Sequence, residues 1–224
     1  MGLKSVQKMK DNPFLENESE HEDIIYRTEN FFVKVGVGLA APGHIMLITK
    51  KPYKCFADIP QELDEEYESI KSRLVTVIRN TFSEPFLIEY GVWGQTVAHA
   101  HIHFIPLRGA EYQVRSIIEE MVRPGNITIE MVTGLTDVRR IYKKEKGYLF
   151  IEEFGKQYVC HVSKIVYDIN NRNPHLSYRL FFEKRGVKAV GRWDQLSPTD
   201  KLFDEAKKQE TIERLKKPLN EKTD

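Results

Sequence analysis

The run Gln95-Thr96-Val97-Ala98-His99-Ala100-His101-Ile102-His103-Phe104-Ile105-Pro106 decides how the rest of the chain is read. Successive side chains of a strand leave opposite faces, so the three alternate histidines share one face while Val97, Ala98, Ala100, Ile102 and Phe104 supply an apolar frame around and behind them. Three protonated rings spaced roughly 6 to 7 Å apart would repel one another in a partly buried row, so most are expected to be neutral near pH 7. A neutral imidazole is a nucleophile or base through one nitrogen and a hydrogen-bond donor through the other, which suits attack on phosphorus. The apolar flanks and the closing Pro106 fit a buried strand ending at a cleft. Two other uses of the pattern stay open: zinc ligation, although three histidines from one strand are too spread out to converge on one ion, and a solvated edge strand.

The surrounding composition sets limits. With 224 residues, 41% of them apolar and 11% aromatic, the chain can bury a full core as one large domain or two small ones. Lys plus Arg number 34 against 33 acidic residues, a formal charge of +1, so no global field draws nucleic acid, membranes or acidic partners. Attraction to phosphate must be local. Cys55 and Cys160 lie far apart with no metal spacing, as expected of reduced thiols in a cytoplasmic protein. No membrane attachment is expected. Met1 to Lys10 holds no apolar signal core, Val35 to Ile48 is too short and broken to span a bilayer, and Met1-Gly2 is followed by Val6 where a myristoylation site wants Ser or Thr.

Strands are predicted at Ile24 to Tyr26, Phe31 to Val37 and His44 to Ile48, the last two joined through Gly36, Gly38 and Pro42-Gly43. A basic loop, Lys50-Lys51-Pro52-Tyr53-Lys54, precedes a helix over Gln61 to Thr81 whose Leu63, Tyr67, Ile70, Leu74, Val77 and Ile78 recur at helical spacing. Phe86 to Tyr90 and the histidine run are the next strands. The order implies an α+β fold, an antiparallel sheet with a helix packed on one face, followed by an α+β C-terminal extension. In that extension Ile127 to Val132, Tyr148 to Glu152 and Gln157 to Val162 read as strands. Thr136 to Glu145 reads as a helix whose Arg139, Arg140, Lys143 and Lys144 face water, and Asn173-Pro174 opens another helix reaching about Arg185. Ser197-Pro198 with Asp200 starts a final helix toward Lys217, with a frayed tail after Pro218. His161 and His175 are expected to be structural and Trp193 to lie in the core. The domain boundary is expected near Arg108 to Tyr112, dividing the chain into 1–110 and 111–224.

The histidine run, with Gln95-Thr96-Val97 before it and Pro106 after it, resembles the signature of the histidine triad (HIT) superfamily of nucleotide hydrolases and transferases. Pro42-Gly43-His44-Ile45-Met46-Leu47-Ile48, followed by the Lys-rich loop and Phe56-Ala57-Asp58-Ile59, is similar to the family's glycine-histidine turn into a strand. The likeness covers about Asp11 to Arg108, and the second half resembles the extension of larger members. It implies that His101 is the nucleophile, attacking the α-phosphorus of a nucleotide anhydride, ester or phosphoramidate to give a nucleotidyl-histidine that water hydrolyses. His101 Nδ1–H is then expected to donate to a backbone carbonyl, that of His99, leaving Nε2 to attack. The same likeness makes His103 a ligand of a non-bridging phosphate oxygen, His99 and His44 supporting histidines, and Gln95 a contact to the bridging oxygen or leaving group. Lys50 and Lys51 are candidate screens for a polyphosphate.

The departures are equally legible. Asn12-Pro13-Phe14-Leu15 stands where many bacterial members carry a pair of zinc-binding cysteines, and Pro52 occupies a further ligand position, so no metal is expected. Gly36 falls near the ribose-binding acid or amide of relatives, and Glu89-Tyr90-Gly91 precedes the turn where some carry other polar residues. The expected activity is nucleotidyl hydrolysis, with a dinucleoside polyphosphate as one substrate class and no cofactor beyond magnesium travelling with a polyphosphate. Nucleotidyl transferase or phosphorylase chemistry, a catalytically silent nucleotide-binding module, and a metal-binding strand using His99 and His101 are the alternatives. By resemblance, a homodimer through the helix and a neighbouring strand is expected.

Overall fold

The computed structural model describes residues 12, 14, 21–36, 38–92, 95, 97–106, 128–162 and 196–221. Among these residues eight strands form one antiparallel sheet: β1 (Ile24–Arg27), β2 (Phe31–Val35), β3 (Ile45–Thr49), β4 (Pro85–Gly91), β5 (His101–Pro106), β6 (Ile129–Val132), β7 (Tyr148–Glu153) and β8 (Lys156–His161). Their spatial order is β1-β2-β3-β5-β4-β7-β8-β6. The predicted α+β architecture with an antiparallel sheet is present, and the ladder runs without interruption from β4 into β7, where Ile88 pairs with Ile151 and Tyr90 with Leu149. Among the described strands β4 is thus paired on both sides, and β1 and β6 stand at the edges.

Helix α1 (Asp64–Thr81) follows a short 3-10 turn, so the predicted helix over Gln61 to Thr81 begins as a tighter coil. Asp64, Glu65 and Glu66 in its first turn favour the positive end of the helix dipole. Its buried Tyr67, Ile70, Leu74 and Ile78 repeat at three- and four-residue spacing and cover Val33, Val35, Ile45, Leu47, Leu87, Ile102 and Phe104 on one face of the sheet. The opposite face carries a smaller apolar group, Phe14, Ile24, Phe32, Met46 and Ile48, with Val97 against it. Met46 pairs with His103 and Ile48 with His101, so that group borders the histidine row.

Helix α2 (Leu135–Glu145) buries Leu135, Val138 and Ile141. Its Arg139 is not given over to solvent as the sequence suggested: it forms a two-pronged pair with Asp64 at 2.5 Å and donates to the Ile59 carbonyl at 3.1 Å. Arg140 pairs with Glu130, and His161 lies within 3.3 Å of the same carboxylate. Helix α3 (Pro198–Asn220) opens as expected, with Ser197 Oγ accepting from Asp200 N–H at 3.1 Å and Pro198 at the first position. It does not fray at Pro218. The proline forgoes its own N–H bond and crowds the carbonyl four residues back, but the last turn is tied down by Arg73, which donates to Leu219 O at 3.0 Å, and by Asn220 Nδ2, which donates to Ile25 O at 2.9 Å. His175, Trp193, the helix after Pro174 and the expected domain boundary lie outside the described residues. No helix among those described is long and apolar enough to cross a membrane.

Candidate active site

Strand β5 begins at His101, one step later than alternation predicted. His99 precedes it in a bend closed by its own N–H donating to Val97 O at 2.9 Å. His99 is fully buried, and both ring nitrogens are engaged. Asn12 Nδ2 lies 3.0 Å from His99 Nδ1, and Asn12 Oδ1 accepts from Phe14 N–H at 3.0 Å, so the amide is oriented with its NH₂ toward the ring. His99 Nδ1 is thus the acceptor and Nε2 carries the proton, which is donated to Thr49 O at 2.6 Å. Thr49 Oγ1, 3.0 Å from the same nitrogen, already donates to Lys51 O at 2.7 Å and accepts here. Burial lowers the basicity of His99, so the ring is held neutral as a post between Asn12 and Thr49.

The backbone of that post orients the next histidine. His101 Nδ1–H donates to His99 O at 2.7 Å, which leaves the lone pair on Nε2. Burial pushes the His101 pKa down to about 4, outweighing the opposing carbonyl bond, with the neighbouring His99 adding a small push in the same direction. The ring is neutral through the physiological range. Phe14 meets it edge-on at 5.2 Å between centroids, and the His103 ring also lies at 5.2 Å.

A second chain of bonds sets His103. Ala40 N–H donates to His44 Nδ1 at 3.1 Å, so neutral His44 carries its proton on Nε2. That nitrogen lies 3.0 Å from His103 Nδ1, which must accept. His103 consequently carries its proton on Nε2, the tautomer able to donate to an anionic oxygen. His101 and His103, two residues apart on one strand face, therefore offer opposite chemistry at Nε2: a lone pair on the first and an N–H on the second.

The remaining predicted residues sit around this pair. Gln95 Nε2 donates to Lys54 O at 2.8 Å, and Ala100 N–H donates to Tyr53 O at 2.8 Å, so the basic loop is stitched to the histidine segment. Lys50 lies toward Glu66. Burial works against ionisation of that carboxyl, yet hydrogen bonds from Thr28 and Asn30 and the Lys50 charge hold it below the usual carboxylate range. Lys51 is exposed. Asn12, Thr49 and the Ala40 N–H were missed by sequence reasoning, because an amide, a hydroxyl and a backbone donor carry no spacing signal. The groups about His99, an amide, a hydroxyl and a carbonyl that already bond one another through the ring, do not fit zinc. Among the described residues no cluster of three or more His, Cys, Asp or Glu side chains converges as a metal site.

The family model described as "HIT domain" matches residues 17–110. The chain carries a HIT domain. Asn12 lies just before the HIT domain, and β6 to β8, α2 and α3 lie beyond it. Over 114 residues the chain is 29% identical to the nitrilase and fragile histidine triad fusion protein NitFhit of Drosophila melanogaster, an alignment covering 49% of this chain and 25% of that protein. Over 118 residues it is 30% identical to the bis(5'-nucleosyl)-tetraphosphatase (asymmetrical) of Schizosaccharomyces pombe, covering 50% of this chain and 64% of the relative. Over 146 residues it is 27% identical to the bis(5'-adenosyl)-triphosphatase of Dictyostelium discoideum, covering 62% and 95%. The chain thus spans a quarter of the first relative and less than two thirds of the second.

Proposed function

We propose that this protein is a nucleotidyl hydrolase acting on dinucleoside polyphosphates, with His101 as nucleophile. The observation that carries the reading is the His101 Nδ1–H bond to His99 O at 2.7 Å, which orients the ring, kept neutral by burial, with its lone pair at Nε2. That pair attacks the α-phosphorus, and the bond to the bridging oxygen breaks with its electrons leaving on the departing nucleotide. A water then attacks the nucleotidyl-histidine, the P–N bond returns its pair to Nε2, and the mononucleotide leaves as the water's proton passes to solvent. One displacement becomes two easier ones. His103 Nε2–H donates to a non-bridging oxygen as charge develops there, and such a donor is worth about 10²- to 10³-fold in rate.

His99 acts through others: it supplies the carbonyl that orients His101. In this reading Gln95, tethered to Lys54 O, contacts the leaving group, and Lys50 and Lys51 screen the outgoing polyphosphate. Magnesium enters as the counter-ion of the polyphosphate. The names of two relatives, a bis(5'-nucleosyl)-tetraphosphatase and a bis(5'-adenosyl)-triphosphatase, support this substrate class. A reducing, cytoplasmic setting suits Cys55 and Cys160, both unpaired and buried, with burial raising both thiols.

The test is chromatography of products from diadenosine tetraphosphate and diadenosine triphosphate. AMP together with ATP or ADP is expected from the wild type, and none from His101→Asn. Tight binding without turnover would instead favour a silent binding module, and a new nucleotide product formed only with added phosphate or sugar phosphate would favour a transferase.

A further inference from the structure

The C-terminal helix reaches into the HIT domain through the buried Asp204 and Thr211 and the part-buried Lys207. Asp204, only 5% exposed, accepts from Gly38 N–H at 2.7 Å and from Leu39 N–H at 2.6 Å. Lys207 Nζ donates to Leu39 O at 3.0 Å. One full turn on, Thr211 Oγ1 accepts from Gly43 N–H at 2.8 Å and donates to Lys207 O at 2.6 Å. These contacts grip both ends of the loop between β2 and β3, whose Gly38 and Gly43 take positive φ of 75° and 85°. Burying the Asp204 carboxylate is a costly way to hold a surface loop, since it surrenders its hydration, and Lys207 beside it is part-buried.

The loop's link to the site gives that cost a purpose. Leu39 C=O and Ala40 N–H belong to one planar trans peptide and point in opposite directions. Drawing the carbonyl toward Lys207 turns the N–H the other way, onto His44 Nδ1 at 3.1 Å. That contact selects the His44 tautomer, which selects the proton position on His103 3.0 Å away.

We propose that Lys207 and Asp204 of the C-terminal helix are positioning residues of the histidine site: by fixing the Leu39–Ala40 peptide they dictate which nitrogen of His103 carries the proton. The extension beyond the HIT domain thereby sets the donor that meets the substrate's phosphate. Only the activity arm of the test rests on the hydrolase reading.

Long-range proton–nitrogen NMR of the histidine rings near neutral pH reads the tautomers directly in the full chain. In the wild type, His44 and His103 are expected as Nε2–H and His101 as Nδ1–H. Lys207→Met keeps the aliphatic stem and loses the donor, and Asp204→Ala removes the carboxylate. Each is expected to populate Nδ1–H at His44 and His103 while His101 keeps its pattern, with Lys207→Arg restoring the wild-type state. With diadenosine tetraphosphate as probe, kcat should fall about tenfold in Lys207→Met, part of the value of a full oxyanion donor. Unchanged His44 and His103 tautomers in folded variants overturn the proposal whatever happens to activity. Should Asp204→Ala fail to fold, Lys207→Met decides alone, its side chain being only part-buried. Shifted tautomers in a protein that hydrolyses nothing would sustain the relay and defeat the hydrolase reading instead.

Discussion

Glu89 is a buried carboxyl whose protonation is coupled to folding. It lies on β4, with Oε1 accepting from Phe56 N–H at 2.8 Å and Oε2 from Tyr148 Oη–H at 2.6 Å. Burial raises its pKa from the ordinary 4.5 to about 7 against the opposing pull of those two bonds. Below the ordinary value, folded and unfolded chains both hold the proton. Between it and about 7 the unfolded chain has released its proton while the folded one keeps it, so stability declines as pH rises across that window and then levels off. At about 1.4 kcal/mol per pH unit the decline amounts to roughly 3 kcal/mol. Glu89→Gln imitates the protonated carboxyl and cannot ionise. Urea unfolding of both proteins at about pH 5 and about pH 8 isolates the effect as the difference between their pH dependences. The wild type should lose roughly 3 kcal/mol more than the variant over that interval; equal pH dependences, within about 0.5 kcal/mol, would refute the reasoning.

The ring protons of His101 should titrate with a midpoint near pH 4, not the ordinary 6.5, when followed by NMR, and a midpoint above 6 would contradict the neutral, buried ring. Its linkage has the opposite sign from that of Glu89: the unfolded chain binds the proton more readily, so this stability is present above the ordinary value and is lost as pH falls toward 4. Gly43→Ala should lower stability by about 2 kcal/mol or more in thermal unfolding. Its φ is +85° and an added Cβ would lie 2.7 Å from the Phe82 ring and 2.8 Å from Pro106.

The strands and α1 were legible because each carries its own periodicity, two for half-buried strands and near 3.6 for the helix that covers them. The alternate histidines disclosed the site for the same reason: identical polar groups at strand spacing are conspicuous. His99 broke the pattern because the bend at Val97 draws it off the strand, where Asn12 and Thr49 hold it. Asp204 was invisible for the converse reason. In Lys201-Leu202-Phe203-Asp204-Glu205 it sits among ordinary solvated charges, and only the loop folded against it distinguishes it from Glu205. Lys207 and Thr211 share that fate. Arg139, read as part of a solvated basic run, is committed to Asp64, a partner 75 residues away that no local pattern reveals.

The proposed hydrolysis turns on attack at phosphorus by Nε2 of the neutral His101 ring. Mass spectrometry of enzyme acid-quenched during turnover of diadenosine tetraphosphate, followed by peptide mapping, tests it most directly. An adenylyl mass addition is expected on His101, vanishing when turnover is complete and missing from His101→Asn. Turnover that persists in His101→Asn, or an adduct carried by a different residue, would contradict it.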